Sequence, residues 1–112
     1  MSAESMMVTA WNNGSYHRTG AGYGIRIKLS DRNKFFNRTW TVVKLQLQGI
    51  PGYTDINPKR KTFWNNSCPE LFSQEIGKWL IGNRINQWPK GHPPEMVMTK
   101  IRGNQFKIIL LG

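Results

Sequence analysis

The sequence has a single cysteine, Cys68, so it can form no intrachain disulfide and cannot assemble a cysteine-based zinc knuckle. Acidic residues are scarce too: six Asp and Glu stand against sixteen Lys and Arg. Those acids are scattered, and Glu70 and Glu75 lie five apart, on different faces of any helix that carries both. A two-metal centre needs converging carboxylates, so neither a metal nor any other cofactor is expected. No run approaches the roughly eighteen apolar residues that a membrane span requires. The segment Met1 to Val8 has neither a basic start nor a long apolar stretch. No membrane partner is expected, and the cytoplasm is the expected compartment. There is no Gly-Lys-Ser/Thr, hence no Walker loop. The spacing of Gly20, Gly22 and Gly24 is followed by β-like residues rather than the helix that a dinucleotide fingerprint needs. The signature of an RNA-recognition motif is absent, and no Gly-x-x-Gly loop stands between helices as a KH domain requires.

What the chain does have is 112 residues, 38% of them hydrophobic and 12% aromatic, enough for one compact domain over residues 1–112 with a modest core. Residues 1–13 read as a loose N-terminus or a short edge strand. Between Tyr16 and Ser30 the pattern is two-periodic. Ala21, Tyr23, Ile25, Ile27 and Leu29 alternate with Gly20, Gly22, Gly24, Arg26 and Lys28, which predicts one long strand or a bent pair. Residues 31–38 break the alternation with a helical turn or loop around Phe35 and Phe36. Residues 39–48 alternate again, with Thr41, Val43, Leu45 and Leu47 on one face. A turn at Gly49 to Gly52 then leads to a return strand over Tyr53 to Asn57.

Lys59, Arg60 and Lys61 read as a basic loop tip before the β-prone Thr62, Phe63 and Trp64. Ser67 and Glu70 have the spacing of a capping box and predict a helix at about 68–81, with Leu71, Phe72, Ile76, Trp79 and Leu80 on one face and Gly82 at its end. A loop over 83–94 precedes a hairpin of Glu95 to Ile101 and Phe106 to Leu111. The order of elements predicts an α+β fold: a mainly antiparallel, twisted or barrel-like sheet with one principal helix and a C-terminal β-hairpin.

A formal charge of +10 points to an acidic partner, and nucleic acid, RNA or DNA, is the commonest. If the alternation holds, Arg18, Gly20, Gly22, Gly24, Arg26 and Lys28 share one strand face. That face would be a glycine floor between cations, open to a phosphate backbone, with Lys59, Arg60 and Lys61 as a second contact. The structural reading of the same glycines is that they let a helix pack close on the sheet. Two other functions fit the chain. One is a small metal-independent ribonuclease or toxin-like enzyme, with His17 as base, Arg18 stabilising the phosphorane and His92 as a further candidate. The other is an interaction protein for an acidic protein partner. Exposed tryptophans would stack on unpaired bases; buried ones, Trp79 above all, would fill the core.

Overall fold

The computed structural model describes residues 4–14, 17–58, 61–65, 67 and 69–111, with 61 and 62 described by their backbone alone. The elements in chain order are β1 (Ser5–Asn12), β2 (Tyr23–Ile27), α1 (Leu29–Phe35), β3 (Val43–Leu47), β4 (Thr54–Ile56), α2 (Lys61–Trp64), β5 (Glu70–Phe72), α3 (Gln74–Gly82), β6 (Glu95–Arg102) and β7 (Gln105–Leu110). The fold is α+β. Its seven strands form one sheet in the order β4-β3-β7-β6-β1-β2-β5, curled into a nearly closed, barrel-like form. Five neighbouring pairs are antiparallel and one, β3 with β7, is parallel. The two edge strands, β4 and β5, have three residues each, which leaves little open ladder for another chain to join.

Strand periodicity decides what lies inside. Met6, Val8 and Ala10 of β1 face inward beside Ile27 and Ile25 of β2 and Met96 and Met98 of β6. Phe106 and Ile108 of β7 stand next to Leu45 and Leu47 of β3. α3 adds Ile76, Trp79 and Leu80 to this core, and α1 and α2 add Phe35 and Phe63. The predicted β3–β4 turn, the 83–94 loop and the C-terminal hairpin are all present.

Four local expectations are corrected. First, Ser5–Asn12 is an interior strand between β2 and β6, because its even positions are apolar enough to bury. Second, the glycine-rich stretch is strand only over Tyr23–Ile27; residues 18–22 are turn and bend, and Leu29 begins α1. Third, α3 starts at Gln74. Ser73 is its N-cap, with its hydroxyl accepting from the Glu75 N–H at 3.1 Å. The Ser67 box is not used: Glu70–Phe72 pairs with Gly24–Arg26, and Glu70 takes Arg26 as its partner at 2.7 Å. Cys68, where the predicted helix began, lies outside the described residues. Gly82 is the last helical residue, and Arg84 takes the positive φ beyond it. Fourth, Lys61–Trp64 is a short helix rather than a strand. Its last carbonyls are satisfied by the Arg32 guanidinium, which donates to Phe63 O at 2.8 Å and Trp64 O at 2.9 Å.

Candidate nucleic-acid interface

The glycine floor does not form. A Cβ on Gly20 would lie 2.8 Å from the Lys78 backbone nitrogen and closer still to Gln74 O, and one on Gly77 would lie 2.5 Å from Gly20 Cα. Gly20 and Gly77 therefore make a backbone-to-backbone contact between the turn and α3, and side chains are excluded from both. A Cβ on Gly24 would meet the Leu71 backbone of β5, and one on Gly22 the Asn13 side chain. The glycines serve chain packing, and no ligand can approach through that contact. Arg18 and Lys28 are exposed but at opposite ends of the stretch, and Arg26 is held by Glu70. Lys59 and Arg60 lie outside the described residues, and Lys61 is placed by its backbone at the start of α2.

The strand register gathers a different set of cations. The start of β3, the start of β7, the end of β6, the start of β1 and the end of β2 all lie at one end of the barrel. α1 and α2 close that end, with Phe36 stacked on Phe106 at 4.8 Å and edge-on to Phe63 at 5.2 Å. Lys28, Arg32, Lys34, Arg38, Lys100 and Arg102, together with the backbone of Lys61, come from three separate stretches of chain to this one end. Glu4 and Asp31 are the acids there besides the engaged Glu70 and Asp55, the latter paired with Lys44 at 2.9 Å. The opposite end carries Arg18, Lys78, Arg84 and Lys90 against Glu75 and Glu95, and has a ring pair of its own, Trp11 with Phe72 at 4.6 Å.

Aromatic rings and cations interleave at the first end. The Arg32 and Arg38 guanidinium carbons lie 5.0 and 4.8 Å from the Trp64 ring centre, and Lys100 Nζ lies 5.6 Å from that of Trp40. Arg32 is buried, and its pKa is lowered by desolvation and then by the neighbouring charge of Arg38. Arg38 is itself exposed. The Trp64 indole N–H is buried and finds no acceptor among the described residues. Ion pairs among the described residues engage Arg26, Lys44 and Lys78, and leave Lys34, Arg38, Lys100 and Arg102 without a carboxylate partner.

Sequence reasoning passed over Arg38 and Lys100, and reached Trp40 only as one of three tryptophans, with Trp64 and Trp88, that would stack on bases if exposed. One signal was available. The inward positions of β6 run Met96, Met98, Lys100, and a lysine at an inward position of a strand marks where the core ends and a surface begins.

His17 and His92 are exposed and have no side-chain partner among the described residues, so nothing orients either as a base. No three His, Cys, Asp or Glu side chains converge among the described residues, and no described helix is long and apolar enough to cross a membrane. A cleft of about 580 Å³ opens at the other end, between α3 and the β3–β4 turn, lined by Gln48, Ile50, Tyr53, Lys78 and Trp79 among others. Its polar groups are mostly occupied: the Trp79 indole N–H donates to Gln48 O at 2.9 Å, and Lys78 lies 3.7 Å from Glu75. Comparison with protein-family models, curated proteins and solved structures finds no match to this chain.

Proposed function

We propose that the protein binds nucleic acid through the cationic end of its barrel and reads mainly the phosphate backbone. The observation that carries this reading is that Lys34, Arg38, Lys100 and Arg102, free of carboxylate partners among the described residues, belong to segments meeting at one barrel end, where Arg38 and Lys100 lie against the rings of Trp64 and Trp40. A protein of net charge +10 gains from every phosphate it neutralises, because condensed counterions are released. Cations on a concentrated patch engage neighbouring phosphates together, where the same number scattered over a surface would not. We assign the cytoplasm as its compartment, since a chain with one cysteine has no intrachain disulfide to lose in a reducing environment.

Titration of fluorescently labelled RNA and DNA, followed by anisotropy, tests the reading. Affinity should fall steeply as salt rises, with log K declining by roughly 0.7–0.9 per decade of salt for each phosphate engaged. Absence of binding to any nucleic acid at low salt would remove the proposal, and capture of an acidic protein in its place would favour the interaction-protein reading. The ribonuclease reading has no supporting geometry at His17, Arg18 or His92 among the described residues.

A further inference from the structure

Cations alone would hold a phosphate backbone, yet the barrel end also presents rings that a backbone contact does not use. Residues 37–40 form a tight turn closed by the Trp40 N–H donating to Asn37 O at 3.1 Å. Asn37 Oδ1 pins it from within, accepting from the Thr39 N–H at 2.8 Å and the Thr39 hydroxyl at 2.7 Å. The turn fixes the backbone that carries Arg38 and Trp40, with the Arg38 guanidinium over the Trp64 ring and Trp40 beside Lys100. Trp40 meets Phe36 and Phe106 at 65° in both cases, with ring centres 5.9 and 6.2 Å apart, so its orientation is fixed by the core while the ring stays only partly buried. Trp64 is differently placed, since two guanidinium groups already lie against its ring. Trp40 has Lys100 near its face, the one cation found there among the described residues.

Resting on the nucleic-acid reading above, we infer that the ligand is single-stranded. One unpaired base lies against the Trp40 indole while the adjoining phosphates take Lys100 and Arg38. A base inside a duplex has both faces covered by its neighbours and has none to offer a ring. An unpaired base has a free face, and a partly buried, preorganised indole with a lysine beside it is the arrangement that takes it. Stacking is tolerant of base identity, so the site selects strandedness rather than sequence.

The test compares labelled oligo(dT), oligo(U) and a mixed-sequence DNA duplex, each of about 12 nucleotides, within the roughly 4–16 that a small single-strand site spans. Both single strands should bind more tightly than the duplex. Trp40→Leu should weaken strand binding by about 5- to 150-fold and reduce the preference for strand over duplex by a similar factor. Trp40 also packs on the core, so the unmutated protein supplies a second readout: its tryptophan fluorescence should be quenched by unlabelled oligo(dT) and not by the duplex. Equal binding of strand and duplex, without selective quenching, would overturn the inference and leave the cationic site standing. Failure of every nucleic acid to bind at low salt would overturn both.

Discussion

Replacing Gly77 by alanine should destabilise the protein even though alanine is the better helix former. Gly77 sits inside α3, where the exchange alone would contribute up to about 1 kcal/mol of stability. The added methyl group, however, would lie 2.5 Å from Gly20 Cα and 2.6 Å from its carbonyl carbon. Both atoms are backbone, so neither can swing aside, and α3 must lift away from the 17–20 turn. Overpacking of this kind costs about 1–3 kcal/mol, and contact with rigid backbone belongs at the upper part of that range. The net loss expected is therefore about 1–2 kcal/mol. Gly82 is the internal control. It ends the same helix, and a Cβ there meets nothing within 4 Å, so Gly82→Ala should be neutral or stabilising. Urea unfolding followed by far-ultraviolet circular dichroism separates the two signs. In a thermal melt the difference should appear at roughly 4 °C per kcal/mol for a chain of this length. A Gly77→Ala protein as stable as the parent would refute the Gly20–Gly77 contact and return the glycine stretch to the list of open surfaces.

Three further outcomes follow from the same contacts. Ser73→Ala removes the acceptor of the Glu75 N–H and should cost about 0.5–2 kcal/mol in urea unfolding, whereas Ser67→Ala should leave the midpoint in place. Arg32→Lys keeps the charge but loses the planar fork that reaches both Phe63 O and Trp64 O; we expect a loss of roughly 1.5–3 kcal/mol, and faster amide exchange in α2 than in the rest of the chain. Trp79→Ala empties a buried site, 4% exposed, and breaks the hydrogen bond to Gln48 O, so it should cost about 3–5 kcal/mol and open the β3–β4 turn to proteolysis.

Strands whose two faces differ were the readable part of this chain. Val43, Leu45 and Leu47 alternate with Lys44 and Gln46, and β3 lies where that alternation stands. The hairpin of β6 and β7 is equally direct, because Gly103 and Asn104 separate two alternating runs. Local signals failed where a distant partner outweighed them. Ser67 and Glu70 have capping-box spacing, but Arg26 offers Glu70 an opposite charge, and the β2 ladder offers this segment backbone partners that a helix start would forgo. The β-prone Phe63 and Trp64 turn helical because Arg32, thirty-one residues from Phe63, supplies the missing donors at the helix end. The candidate site was hidden for a related reason. Arg38 and Lys100 are unremarkable in sequence, Trp40 is one tryptophan among five, and only the parallel pairing of β3 with β7 and the β6–β7 hairpin bring their segments to one barrel end.

The location of the binding surface is most directly tested by two charge reversals of equal size. In one variant Arg38, Lys100 and Arg102 become Glu; in the other Arg18, Arg84 and Lys90 become Glu, which lowers net charge by the same amount at the opposite end of the barrel. Both are titrated with the same labelled oligonucleotide at one low salt concentration, after thermal melts show both to be folded. Loss of most of the affinity and of most of the salt slope in the first variant, with a small, charge-wide reduction in the second, is the predicted result. Equal losses in the two variants, or a larger loss in the second, would contradict the assignment of the cationic, aromatic end as the nucleic-acid site.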